Sequence, residues 1–224
     1  DQSTIGSNWA AGDIMYEDTN NDKQINDGAR TITDHGDLKV IGNSTPRFLW
    51  GIDLNASWKG FDIRAFFQGV MKRDAWLGDS WGSLEYYFGA TNSGEWWATG
   101  ITAVKDYYRD ANTWSVANGY QKANQDAFLP RATFSNKNER CQTRYLMNAA
   151  YMRLKNFQAG YTIPRNITTK WGISNMRVFV SIENLFTITK MPKQFDPEMI
   201  GTDSRHSNGY PLSKTFSFGI NVTF

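Results

Sequence analysis

The chain has 224 residues, of which 40% are hydrophobic, 15% aromatic and 21% charged. Its 24 basic and 22 acidic residues leave a formal net charge of +2, which argues against a nucleic-acid partner. No apolar run reaches the roughly 18 residues of a membrane-spanning helix. The single Cys141 excludes an internal disulfide and a zinc framework.

A hairpin is the first regular element that the sequence predicts, after a polar, turn-rich segment of residues 1–46. Apolar and polar residues alternate through residues 47–58 and 61–72, which indicates strands with one apolar face. Lys59-Gly60 between them predicts a tight two-residue turn. We therefore expect two antiparallel neighbours here.

A long segment without sustained alternation, residues 73–143, comes next. It is dense in Trp, Tyr, Gly and Asn, and only residues 102–110 suggest a short helix. Connections of this length are uncommon unless they carry a function. We therefore expect a functional loop.

Three more strands are predicted in the rest of the chain, at residues 144–163, 176–188 and 213–224. The first of them slips phase near Lys155-Asn156, which indicates a β-bulge. A polar loop, residues 189–212, separates the last two. The fold is therefore predicted to be all-β, with about five strands.

The last strand has the clearest pattern in the sequence. Its apolar face is formed by Phe216, Phe218, Ile220, Val222 and Phe224, and small or polar residues alternate with them. A soluble protein rarely leaves such a strand uncovered. In an outer-membrane β-barrel, lipid covers the apolar face and neighbouring strands take the backbone hydrogen bonds.

The connections between the strands alternate in length. The long ones are residues 1–46, 73–143 and 189–212, and the others are brief. Outer-membrane barrels have this asymmetry, with short periplasmic turns and long external loops. Because the smallest such barrels have about eight strands, and because no signal peptide opens the sequence, we expect the chain to be part of a longer protein.

Short motifs follow one another in a fixed order through nearly the whole chain, apart from residues 73–143. They are Gly12–Asp22, Val40–Asn43, Trp58–Asp62, Phe66–Gly69, Tyr151–Asn156, Gly160–Pro164, Glu183–Phe186, Phe195–Glu198, Gly209–Pro211 and Phe216–Phe224. Each motif is weak alone, but the ordered set resembles the C-terminal part of SusC/RagA-type TonB-dependent transporters.

This resemblance implies a 22-stranded antiparallel barrel in the outer membrane of a Gram-negative bacterium, of which the chain would be the last quarter. The plug domain and the TonB box would lie upstream and are absent from this chain. The resemblance also implies TonB-driven import, a SusD-type surface lipoprotein as lid, and substrates that are usually oligosaccharides and less often peptides. Phe224 resembles the terminal aromatic residue that acts as the barrel assembly signal.

A possible cation site lies in the first loop, where the sequence resembles the first part of an EF-hand-type calcium loop. The candidate ligands are Asp18, Asn20, Asp22, the carbonyl of Gln24, Asn26 and Asp27. Two positions depart from the pattern, because Lys23 replaces the glycine of the sharp turn and Ala29 replaces the bidentate glutamate. A solvated turn without a metal is equally compatible with the sequence, since Asp and Asn favour turns.

Aromatic residues of the long loop are candidate contacts to a ligand or to the lid protein, because Trp and Tyr stack on sugar rings and anchor interfaces. They are Trp76, Trp81, Tyr86, Tyr87, Trp96 and Trp97. The same residues could instead pack the loop against itself or against other loops of the barrel.

No catalytic constellation stands out, and we expect no enzymatic activity. Glu85 and Glu95 are a weak candidate for a glycosidase pair, because two acids in a polar loop are common by chance. Two different functions stay open beside the import of oligosaccharides. One is the import of peptides by the same class of transporter, and the other is carbohydrate binding by a soluble β-sandwich.

Overall fold

The computed structural model describes residues 1–76, 102–133, 135–193, 195–200 and 211–224. These residues form two compact units. The loop unit comprises Asp1–Gly42 and the described residues of 76–146. The sheet unit comprises Asn43–Ala75, the described residues of 147–200, and residues 211–224.

The sheet unit is built on five long strands, with a two-residue ribbon beside them. The strands are β1 (Arg47–Trp58), β2 (Phe61–Lys72), β5 (Tyr151–Thr162), β6 (Asn175–Thr189) and β7 (Thr215–Thr223), and the ribbon joins β3 (Asp74–Ala75) to β4 (Met147–Asn148). The long strands form one antiparallel sheet with the order β1-β2-β5-β6-β7. The predicted all-β fold of about five strands is confirmed.

The hairpin and the bulge form where the sequence predicts them. Lys59 and Gly60 have φ angles of 47° and 87°, which are the left-handed values that a tight turn between right-twisted strands requires. The pairing of β5 with β6 shifts between Leu154 and Asn156. The partner strand accommodates the shift at Asn184, whose φ is 51°.

The strand predicted from residue 144 begins later, at Tyr151. The Oδ1 atom of Asn148 accepts a hydrogen bond from the backbone N–H of Ala150 at 2.9 Å, a local turn that competes with the ladder. Residues 147 and 148 pair instead with β3. Alternation in the sequence did not reveal this turn because Asn fits the polar phase of the pattern.

The helices that the structure describes are short: α1 (Trp114–Ala117), α2 (Arg165–Thr168) and 3-10 turns at Thr102–Lys105, Asn136–Asn138 and Thr169–Trp171. The helix predicted at residues 102–110 is therefore wrong beyond Lys105, because Tyr107 and Arg109 form isolated β-bridges. None of the described helices has the length and apolar character to cross a membrane.

Large apolar side chains cover one face of the sheet and stay exposed. Phe218 at the centre of β7 is 86% exposed, and Leu54 of β1 and Ile220 of β7 are also open. Buried apolar residues of the sheet unit lie instead where β2 ends and β5 begins, as at Val70 and Leu154, and in the segment after β6, as at Met191 and Ile200. The sheet therefore has an apolar face that the described residues of its unit leave uncovered.

Candidate ligand-facing loops and the charged face of the sheet

A buried ion cluster holds the two chain segments of the loop unit together. The carboxylate of Asp13 contacts Arg131 Nε and Lys137 Nζ, each at 2.9 Å, and the amide of Asn138 at 3.0 Å. The side chains of Asp13 and Lys137 are only 3% and 2% exposed. Burial alone raises the pKa of Asp13, but the hydrogen bonds from Arg131, Asn138 and Lys137 outweigh it and hold that pKa below its ordinary value.

The calcium candidates form a compact Asx-rich turn. Asp18 Oδ2 accepts the N–H of Lys23 at 2.7 Å, and Asn20 Oδ1 accepts the N–H of Asp22 at 3.0 Å. Asp22 Oδ1 in turn accepts the N–H of Gln24 at 2.8 Å. Lys23 has a φ of 67° and so adopts the left-handed conformation that a glycine usually provides. The first departure from the calcium-loop pattern is therefore accommodated by the backbone.

The remaining candidates have other partners. Asn26 Oδ1 accepts the N–H of Gly28 at 2.9 Å. The carboxylate of Asp27 pairs with Arg140 at 2.9 Å and with Arg30 at 2.5 Å. These two side chains thus lie outside the turn that Asp18, Asn20 and Asp22 form.

One atom of the turn fits a cation. Asp18 Oδ1 is enclosed and has no hydrogen-bond partner in the structure, and an orphaned carboxylate oxygen suits a hard ion. Among the described residues, no three His, Cys, Asp or Glu side chains come together as a metal centre. Calcium binding stays a prediction that depends on amide and carbonyl oxygens beside the two acids.

Asp18→Ala in the full-length protein tests this prediction. We expect calorimetric titration with calcium to give a dissociation constant at least about tenfold higher than that of the parent, because one charged ligand is lost. Asp126→Ala, which removes an exposed carboxylate of the same unit, should leave the titration unchanged. Equal heats for the parent and Asp18→Ala would rule out calcium at this turn.

A cavity of about 790 Å³ also lies within the loop unit. Tyr16 and Tyr108 line it together with the Asp27–Arg140 ion pair, and its lining includes equal numbers of acidic and basic side chains. This balance gives the cavity no preference for either sign of charge.

Trp76 is half-buried and follows β3 directly. The other aromatic candidates of the long loop lie outside the described residues, as do Glu85 and Glu95. They are Trp81, Tyr86, Tyr87, Trp96 and Trp97. Their contacts to a ligand or lid protein stay predictions.

The structure adds an aromatic pair that the sequence did not single out. The rings of Trp114 and Tyr120 stack with their centroids 5.3 Å apart and an interplanar angle of 15°. Trp114 is 71% exposed and Tyr120 is 73% exposed. The signal available in the sequence was two aromatics flanking the turn residues Asn118-Gly119.

The polar face of the sheet carries ion pairs. The most deeply buried pair joins Arg153 of β5 to Asp196 at 2.6 Å, and both side chains are only 4% exposed. Arg153 also contacts Glu198 at 2.6 Å and donates to Thr187 Oγ1 at 2.7 Å. Lys155 binds the second oxygen of Glu198 at 2.9 Å. Together they fix the segment after β6 to the sheet.

The Asp196 carboxylate is satisfied on both oxygens. Burial alone raises its pKa, but hydrogen bonds from Arg153 and from the N–H groups of Glu198 and Leu212 lower it below its ordinary value. Elsewhere on the same face, Arg64 pairs with Asp53 at 2.6 Å, and Arg177 pairs with Asp62. Phe224 follows β7 and is exposed, and its role as an assembly signal stays a prediction.

Comparison with known proteins assigns a family to this architecture. No family model matches the chain. The chain is 30% identical over 198 residues to TonB-dependent receptor P3 of Formosa agariphila. This match covers 84% of the present chain and 17% of that receptor. It is 25% identical over 233 residues to TonB-dependent receptor P26 of the same organism, with coverage of 100% and 21%. The chain thus spans about a fifth of the length of the curated relatives it matches.

Solved structures agree with these relatives. The RagAB peptide importer in its "open-open" state matches with a TM-score of 0.58 and 25% identity, over 83% of this chain and 18% of that one. A second structure of the RagAB peptide transporter matches in fold with a TM-score of 0.57 at 24% identity, over the same shares. By sequence and by fold, the chain belongs to the TonB-dependent receptor family and forms part of a SusC/RagA-type β-barrel.

Proposed function

We propose that the full-length protein is an active importer in the outer membrane of a Gram-negative bacterium, and that it takes up oligosaccharides. In this proposal the present chain supplies barrel wall and external loops. A TonB complex supplies energy through an N-terminal part outside this chain, and a SusD-type lipoprotein lids the barrel. Family membership and the likeness to RagAB support this assignment.

One observation carries the proposal: the sheet is apolar and exposed on one face and carries paired charges on the other. Phe218 and Ile220 lie on the open face, whereas Arg153 and Arg177 form ion pairs on the opposite one. A sheet face whose large apolar side chains stay exposed suits contact with lipid. A β-sandwich would need a second sheet over that face, and the other sheet in the described residues is the two-residue ribbon β3–β4.

Both edges of the sheet are open in the described part of the chain. β1 pairs with β2 alone, and β7 pairs with β6 alone. Because unpaired backbone groups are costly in lipid, further strands must continue the sheet at each edge. This supports a role as one segment of a closed barrel wall.

Oligosaccharides are favoured as cargo by the exposed Trp114–Tyr120 stack, because flat aromatic faces bind sugar rings. Peptides are the second candidate, since the matched solved transporter is a peptide importer. Deleting the gene for the full-length protein and following growth on purified oligosaccharides or on peptides, each as sole nutrient, separates the two. Growth of the deletion strain at the parent's rate on both nutrients would contradict the import function.

A charge on the open face tests the lipid contact directly. Phe218→Arg should destabilise the assembled barrel by about 2–4 kcal/mol, because a guanidinium in the hydrocarbon is poorly solvated. Heat-modifiable migration of the full-length variant in outer-membrane fractions measures this effect. Ser217→Arg, one position away on the polar face, is the matched control and should assemble at a level near the parent's.

A further inference from the structure

The most exposed aromatic feature of the described loop unit is held by a rigid turn. The carboxylate of Asp110 accepts hydrogen bonds from Asn112 N at 3.0 Å and from Thr113 N and Oγ1 at 2.9 and 3.0 Å. These bonds fix the start of α1, whose first residue is Trp114. The indole is therefore presented on a constrained backbone.

The second ring is fixed in the same way. The backbone N–H of Tyr120 donates to Ser115 O at 2.8 Å, after Gly119 has reversed the chain with a φ of 75°. The Nδ2 atom of Asn118 closes the turn by donating to Trp114 O at 2.8 Å. Because these contacts are local, the two rings are pre-organised before anything binds.

The pair does not stabilise a core. None of the residues of α1 is buried, and the two rings leave most of their surface in water. An indole that is 71% exposed forgoes most of the free energy that its burial would contribute to folding. A turn with a purely structural role does not require such an exposed indole. An exposed aromatic stack on a rigid turn is the arrangement of a binding platform.

A neutral amide, that of Gln121, follows Tyr120 directly in the chain. The Oε1 atom of Gln121 accepts hydrogen bonds from Tyr107 OH at 2.7 Å and from Ser115 Oγ at 3.0 Å. This leaves the exposed amide nitrogen of Gln121 available to donate to a hydroxyl. Asp110, the acidic residue of the turn, is already occupied by its three donors. An aromatic face with one neutral amide at the adjoining residue matches the C–H face and hydroxyls of a sugar ring.

We infer that Trp114 and Tyr120 form an external subsite that stacks on a pyranose ring of an oligosaccharide. The inference rests on the proposed import function and names the class of molecule that the platform takes. Trp114 supplies the larger stacking face, Tyr120 holds the indole in place, and the Gln121 amide donates to a ring hydroxyl.

The test uses the full-length transporter complex in detergent. A glycan array with neutral and anionic oligosaccharides identifies the probe with the strongest signal, and a tryptic digest of casein serves as the peptide probe. Calorimetry with the chosen oligosaccharide should show about tenfold weaker binding for Trp114→Ala and for Tyr120→Ala. Trp171→Ala removes an indole of the sheet unit that is 60% exposed, and it should bind like the parent.

A second variant separates stacking from a change in folding. Trp114→Phe keeps an aromatic face, so its affinity should stay within about threefold of the parent's. It should nevertheless lose the change in tryptophan fluorescence that the oligosaccharide causes in the parent. Equal affinities for parent and Trp114→Ala, or binding of casein peptides with no signal on the array, would overturn the inference. Growth of the deletion strain reports on the import function separately.

Discussion

Replacing Arg153 by methionine is expected to give the largest loss of stability in the sheet unit. The change leaves the carboxylates of Asp196 and Glu198 without their guanidinium partner, and the Asp196 side chain is buried. Removing one member of a buried ion pair costs about 3–5 kcal/mol, because the other charge stays desolvated. We expect residues 190–200 to become open to limited proteolysis, with the cut sites read by mass spectrometry.

Compensation and a surface pair serve as controls. Adding Asp196→Asn and Glu198→Gln to Arg153→Met removes the stranded charges, so the triple variant should recover part of the protection. Arg64→Met breaks a pair whose side chains are 56% and 36% exposed, and its protease resistance should stay close to the parent's because solvent screens such a pair. Equal protease resistance of Arg153→Met and the parent would show that the ion cluster does not hold this segment.

Lys137→Met should have an effect of similar size in the loop unit. Lys137 Nζ binds the Asp13 carboxylate and the carbonyls of Ser7 and Asn8 at 3.0 and 2.8 Å, and it lies 4.7 Å from the centre of the Trp9 ring. Its loss leaves a buried carboxylate undercompensated, again at about 3–5 kcal/mol. Hydrogen exchange of the backbone amides in residues 5–16 should accelerate accordingly.

The pH dependence of this variant has a defined sign. In the parent, the folded-state pKa of Asp13 lies below its ordinary value, so the cluster contributes stability above that ordinary value and loses it as the pH falls through the folded-state pKa. Lys137→Met raises the folded-state pKa of Asp13, and protonation then removes the undercompensated negative charge. The difference in exchange between variant and parent should therefore narrow toward about pH 3.

A surface lysine provides the matched control for Lys137. Lys122→Met removes an exposed ammonium of the same unit, and its exchange rates should equal the parent's at both neutral and acid pH. A difference between Lys137→Met and the parent that stays constant from neutral to acid pH would contradict the role given to Asp13.

The strands were predictable because their signal is local. Alternation through residues 47–58 and 61–72 is imposed by a sheet with one apolar face, and β1 and β2 cover these residues. The start of β5 was missed because the turn at Asn148 keeps the same polar phase. Pattern reading works where neighbours in sequence decide the structure.

The ion clusters were hidden from the sequence for the opposite reason. Asp13 meets Arg131 across 118 positions of the chain, and Arg153 meets Asp196 across 43. The sequence shows which residues are charged, but it does not show which of them form buried ion pairs. The Trp114–Tyr120 stack is formed by residues close in sequence. Its exposure, however, depends on whether residues distant in sequence pack over the two rings.

The open edges of β1 and β7 have a consequence for the chain in isolation. No other strand among the described residues pairs with either edge, so backbone N–H and C=O groups are open there, and the adjoining apolar side chains lie on the same face of one sheet. Where β1 of one copy pairs with β7 of the next, the contact is head-to-tail and does not close after two molecules. Produced without its neighbours and without detergent, the chain should assemble into open-ended filaments that grow by adding one sheet edge to the next.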